Sequence, residues 1–226
     1  MLLHVTIVSL LLVAVNCDSG SYILPDEETK DQQWVFCSKP TDGDSIFNYS
    51  IDALNSTAGT INFSKFKGKP ILLVNVATYC GSAFEYPLYN QLIDKFGDKL
   101  ALIAFPSNNF ANQEPSADPN EIYNAIKYVR PGGGFVPKFP LTVRIDVNGE
   151  KRHPIYSFLK RSCPSTRTRI IDQFYLNYRE INSRDIRWNF EKFLLHPKTG
   201  QPWKRYDQLF TPNVIIPDIE QLLKEN

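Results

Sequence analysis

Apolar residues fall along this chain in two rhythms, and the switch between them outlines the fold. Residues 71–78 (ILLVNVAT) and 99–105 (KLALIAF) are nearly unbroken apolar runs, the pattern of strands covered on both faces. Between them, Tyr86, Leu88, Tyr89, Leu92, Ile93 and Phe96 recur at helical spacing over residues 86–96. Residues 45–53 and, more briefly, 60–66 alternate apolar with polar as strands do, and Lys67-Gly68-Lys69-Pro70 makes a turn. A second helix is predicted over 121–129, stopped by Arg130-Pro131. Residues 140–147 read as a third buried strand. Asn148-Gly149 then signals a hairpin, with 153–160 starting as the partner strand and ending as helix. Residues 161–184 are polar and irregular, Asp185 reads as a helix N-cap, and 217–223 form a short closing helix. Strand, helix, strand, helix, hairpin and helix together predict one α/β layer fold.

The two ends of the pattern differ. Residues 1–17 hold no Lys, Arg, Asp or Glu, and 5–15 are a short apolar run. That is too short to span a bilayer, which takes about 20 apolar residues. It reads as a signal peptide cut ahead of Asp18, so a secreted protein with no integral membrane segment is expected. Residues 18–44 show no period and read as an extended N-terminal arm, leaving 45–226 as the single folded domain. In a secreted chain, Asn48-Tyr49-Ser50, Asn55-Ser56-Thr57 and Asn62-Phe63-Ser64 become glycan acceptors at Asn48, Asn55 and Asn62.

Charge excludes more than it suggests. With 25 basic against 24 acidic residues the net charge is +1, which provides no field for nucleic acid. Three scattered histidines leave little material for a zinc site or a Ser-His-Asp triad. No metal or organic cofactor is expected. Gly132-Gly133-Gly134 lacks the frame of a phosphate loop. Lys204-Arg205 reads on pattern alone as a solvated surface pair.

Cys80 is the residue placed for chemistry. It ends a buried strand and precedes a helix, where unpaired N–H groups favour a thiolate, and Gly81, Ser82 and Ala83 leave room for approach. An inert core cysteine is the alternative from position alone. Position 83 is Ala, so no Cys-x-x-Cys relay exists. A chain beginning at Asp18 would carry Cys37, Cys80 and Cys163, an odd number in an oxidising compartment. A Cys37–Cys163 bridge would tie the arm down, and whether their Cα atoms come within reach is left open by the sequence.

Four ordered blocks then resemble one family. Asn75-Val76-Ala77-Thr78-Tyr79-Cys80-Gly81 resembles the signature around the peroxidatic selenocysteine or cysteine of glutathione peroxidases. Phe105-Pro106-Ser107-Asn108-Asn109-Phe110 with Gln113-Glu114-Pro115 resembles the second block. Lys127-Tyr128-Val129-Arg130-Pro131-Gly132-Gly133-Gly134-Phe135 resembles a segment associated with tetramers, and Asp185-Ile186-Arg187-Trp188-Asn189-Phe190-Glu191-Lys192-Phe193-Leu194 the third block. The likeness is to the secreted, plasma or epididymal branch, with Cys in place of selenocysteine.

The resemblance implies a thioredoxin-like α/β fold with a central mixed β-sheet flanked by helices. It implies a catalytic tetrad at Cys80, Gln113, Trp188 and Asn189, in which two amides and an indole N–H face the sulfur. It implies a homotetramer that reduces hydrogen peroxide and organic or lipid hydroperoxides with glutathione, held in part by Arg130 and Arg205. Phe84, Gln208 and Leu209 stand where the family often has arginine, and residues 121–127 lack the resolving cysteine of thioredoxin-dependent members. A dithiol-dependent peroxidase and a low-activity redox-sensing or structural glycoprotein are the competing readings.

Overall fold

The computed structural model describes residues 32–40 and 42–225; the leader expected at 1–17 and the first part of the arm lie outside the described residues. A five-stranded mixed sheet runs in the order β1 (Trp34–Phe36), β7 (Pro202–Tyr206), β6 (Lys192–Leu195), β4 (Ile71–Val76), β5 (Ala101–Pro106). Only the β4–β5 pair is parallel, with Ile71 opposite Ala101 and Val76 opposite Pro106. A separate hairpin pairs β2 (Ser50–Asp52) with β3 (Thr60–Asn62).

The alternation of side chains along a strand divides the interior in two. Leu72, Val74 and Val76 enter one core, with Tyr86, Tyr89 and Leu92 of α1 (Glu85–Phe96), Ile122 and Ile126 of α2 (Pro119–Tyr128), and Ile219 and Leu222 of α4 (Ile216–Lys224). Ile71 and Leu73 enter the other, with Ile155, Phe158 and Leu159 of α3 (Pro154–Ser162) and Ile51 and Phe63 from the hairpin region. Both faces of the sheet are therefore covered, as the unbroken apolar runs required. Truncating Leu73, fully buried at the middle of β4, should cost about 2–5 kcal/mol.

Several expected elements change when tertiary contacts compete. Residues 45–53 and 60–66 are each split between a 3-10 turn (Ile46–Asn48, Phe63–Phe66) and a three-residue strand. Residues 140–147 form isolated bridges at Leu141 and Thr142 instead of a strand. The hairpin expected at Asn148-Gly149 is a turn into α3, with His153 as N-cap accepting from the Ile155 N–H. No helix starts at Asp185, whose carboxylate is occupied by Lys160 at 2.7 Å and by the Asn182 N–H at 2.8 Å. The arm also supplies β1, which pairs with β7, and Cys37 is bridged to Cys163 with Cα atoms 4.3 Å apart. Among the described residues no helix is long and apolar enough to cross a membrane.

Candidate active site

Cys80 stands just beyond β4 at the head of a 3-10 turn, Gly81–Phe84, that leads directly into α1. It is the free cysteine among the described residues and is buried, only 2% exposed, between exposed Tyr79 and Phe84. The expected strand-to-helix placement holds, with the short turn interposed. Two braces fix this corner. Glu114 Oε2 accepts from both the N–H and the hydroxyl of Thr78, each at 2.7 Å. Burial pushes the Glu114 carboxyl up to about 7, against the lowering effect of those bonds and of Arg144. Lys192 of β6 reaches Glu85 at the start of α1 and also donates to the Phe210 carbonyl at 2.7 Å.

The other sequence-predicted residues converge from two distant loops. Gln113 meets Cys80's neighbour through its main chain, its carbonyl accepting from the Tyr79 N–H at 3.0 Å. The Gln113 side chain accepts from Asn189 Nδ2 at 2.9 Å, which joins the second and third blocks. Trp188, half-buried, packs on Phe110 with ring centroids 5.4 Å apart. Asn189 is fully buried and its Oδ1 has no hydrogen-bond partner in the fold. Arg130 donates from Nη1 to the Tyr79 carbonyl at 3.1 Å, so this cation also reaches the Cys80 corner.

Arg205 does not. It is fully buried, with Nε on Glu191 Oε2 at 2.7 Å, Nη1 on the Arg184 carbonyl at 2.9 Å and Nη2 on the Asp185 carbonyl at 2.7 Å. Each nitrogen of its guanidinium is engaged inside the protein and the side chain is fully buried, so it cannot hold a thiol arriving from solvent. The neighbouring Lys204 is buried too, paired with Asp218 at 2.8 Å. Arg205 instead clamps the stretch that carries Trp188 and Asn189.

Sequence reasoning missed the rest of that clamp. Residues 185–191 have no helix or strand ladder to hold them, so side chains do it. Asn148 closes a two-way bond with Ile186, donating to its carbonyl at 2.8 Å and accepting from its N–H at 2.9 Å. Asn109 Oδ1 in turn accepts from the N–H groups of Val147 and Asn148 at 2.7 and 3.0 Å. Asn75 of β4 donates to the Trp188 carbonyl at 3.0 Å, and its own carbonyl accepts from the Phe190 N–H at 2.6 Å. A buried Asn within the apolar 71–78 run was the one visible signal of this role.

Comparisons with known proteins bear on the family and the fold. The family model described as glutathione peroxidase matches residues 46–160. The epididymal secretory glutathione peroxidase of Rattus norvegicus is 43% identical over 192 residues, covering 84% of each chain. Glutathione peroxidase 3 of Caenorhabditis elegans is 42% identical over 186 residues, covering 80% of this chain and 81% of its own. Among solved structures, T. cruzi GPX1 superposes with a TM-score of 0.55 at 27% identity, covering 80% of this chain and 97% of that one. With a mixed sheet flanked by helices and a cysteine at the strand-to-helix corner, the chain is a peroxidase of thioredoxin-like fold and belongs to the glutathione peroxidase family.

Proposed function

We propose that this chain is a secreted glycoprotein that reduces hydrogen peroxide and organic or lipid hydroperoxides at Cys80 with an external thiol, glutathione in particular. The observation that carries the reading is the free thiol among the described residues, Cys80, at a corner joined, through Tyr79 and Gln113, to the amide of Asn189. Donors of this kind, held in a buried setting, stabilise an anion where charge develops. In the first step the Cys80 thiolate attacks one peroxide oxygen. The O–O bond breaks, sulfur is oxidised to the sulfenic acid, and the other oxygen leaves as water or alcohol after taking up a proton. A first external thiol condenses with the sulfenic acid, releasing water and leaving a mixed disulfide. A second thiolate attacks that disulfide, releasing the oxidised thiol pair and the Cys80 thiol.

An external donor is favoured by the cysteine inventory. Cys37 and Cys163 are joined to each other, so neither offers a thiol to resolve Cys80. The leader at 1–17, relatives described as epididymal secretory enzymes, and exposed sequon asparagines Asn48, Asn55 and Asn62 support secretion and glycosylation. The segment 130–135 supports a homotetramer. The deciding experiment is a coupled assay of peroxide consumption with glutathione against thioredoxin. Turnover with glutathione is expected. Turnover with thioredoxin alone would move the reading to the dithiol-dependent class, and none with either would leave a redox-sensing or structural glycoprotein.

A further inference from the structure

A cleft of about 500 Å³ is formed by the second half of α3, Arg152 and the segment 180–185. No residue of the Cys80 corner lines it, and α3 packs into the core of Ile71 and Leu73 while Cys80 packs into the other. Its walls carry four cations, Arg152, Lys160, Arg161 and Arg184, against two carboxylates, Glu180 and Asp185. Lys160 is buried, 7% exposed, and donates to Asp185 Oδ1 at 2.7 Å and to Asn148 Oδ1 at 3.0 Å. The three arginines are exposed.

These arginines are not equivalent. Arg161 is answered by Asp44 at 2.8 Å and Asp42 at 3.3 Å. Arg152 meets neutral groups, donating to Ser157 Oγ at 3.1 Å and to the Gly149 carbonyl at 2.9 Å. Arg184 donates to the carbonyls of Lys160 and Arg161 in the last turn of α3. Among the described residues neither Arg152 nor Arg184 has an acidic partner within ion-pair distance. The cations also crowd one another. Burial works against the Lys160 ammonium, Asp185 supports it, and the Arg152 and Arg205 charges oppose it again. A cleft lined by one sign of charge concentrates the opposite ion.

We propose that this cleft binds a sulfated glycosaminoglycan, with Arg152 and Arg184 each holding a sulfate group. A guanidinium fork matches the oxygens of a tetrahedral oxyanion and stays charged at any physiological pH. The two arginines come from separate stretches of chain, so a polymer with repeated sulfates engages both where a single free ion engages one. The volume suits sugar rings, and Ile181 and Asn182 on the same wall offer them an apolar contact and hydrogen bonds. With a net charge of only +1 over the whole chain, the attraction is local to the cleft. The inference rests on the secreted reading, because such polymers are met outside the cell, and it gives the peroxidase a place to be retained there.

Calorimetry with a heparin tetrasaccharide tests it. The full chain should bind, and more weakly as salt is raised. Arg152→Gln and Arg184→Gln should each weaken binding roughly tenfold or more, as expected for losing one charge-assisted bond. Arg184 also caps α3, so Arg152→Gln, whose exposed side chain leaves the core untouched, is the deciding variant if Arg184→Gln unfolds. Lys99→Gln removes an equal charge from an exposed position outside the cleft and should bind as the unmodified protein does. The rate at which peroxide oxidises Cys80 should not change in Arg152→Gln. Tetrasaccharide binding that ignores Arg152→Gln, or that falls as far in Lys99→Gln, would overturn the proposal. So would binding to anionic phospholipid vesicles with none to the tetrasaccharide. Recovery of the protein from culture medium tests secretion on its own. If it stays inside the cell while tetrasaccharide binding still depends on Arg152, the secreted reading falls and the oxyanion site stands.

Discussion

At the scale of single residues, charge inside this protein serves geometry more than solvent. Replacing Arg205 with Met would strand Glu191 as an uncompensated buried carboxylate and release the carbonyls of Arg184 and Asp185. A loss of about 3–5 kcal/mol is expected, read as a lower denaturant midpoint at neutral pH. Cys80→Ser should keep the fold and lose peroxide consumption, because a serine hydroxyl is not ionised near neutral pH; more than a few per cent residual turnover with unchanged circular dichroism would remove Cys80 from the mechanism. Glu114 gives a pH signature. Its carboxyl is raised in the folded protein from an ordinary value of 4.5 to about 7. The folded state thus prefers the protonated form, and this group's contribution to stability is complete below about 4.5 and is lost as pH rises through about 7. The loss is on the order of 3 kcal/mol across that window. Glu114→Gln, which still offers Thr78 an acceptor oxygen, should flatten that slope in urea titrations at several pH values.

At the scale of elements, legibility followed how much of an element's pattern was its own. The runs at 71–78 and 99–105 were readable because a strand buried on both faces has no polar side to confuse it. The helices at 86–96, 121–129 and 217–223 were found within a few residues, since each keeps one apolar stripe. β7 escaped notice because its buried positions include Lys204 and Arg205, whose charges are answered only by the distant Asp218 and Glu191. The turn before it is just as hidden in sequence. Gly200 has φ +67°, and a Cβ there would lie 2.4 Å from Ser45 Oγ and 2.8 Å from the Phe47 ring. Gly200→Ala should therefore destabilise the β6–β7 turn and lower the melting temperature. Cys80, Gln113 and Asn189 were legible as motif; Asn148 and Arg205, which hold the stretch leading to Asn189, were not, because their partners lie 38 residues away or are main-chain atoms. The edge strand β1 offers a separate test. Cys37→Ser should cost about 2–4 kcal/mol by freeing the arm, yet leave peroxide consumption intact, since three strands separate β1 from β5 and β4 carries the Cys80 corner.

At the scale of the whole molecule, the region that carries the three sequon asparagines packs into one core through Ile46, Ile51 and Phe63, and Cys80 packs into the other. Asn48 and Asn62 flank the β2–β3 hairpin region and Asn55 lies between its strands, all exposed. Enzymatic deglycosylation of protein from a secreting cell line should lower its mass without changing turnover, and light scattering on the same material should return a tetramer mass. The loop at 185–191 has a consequence at this scale too. Arg205 and Arg187 secure it through the carbonyls of Pro164, Arg167, Ser183, Arg184 and Asp185, which are atoms that any amino acid supplies. Side chains along 164–171 can therefore drift over generations without loosening Trp188 or Asn189. A lineage built on this scaffold is free to rewrite that outer segment while the backbone path of the loop beneath it is inherited unchanged.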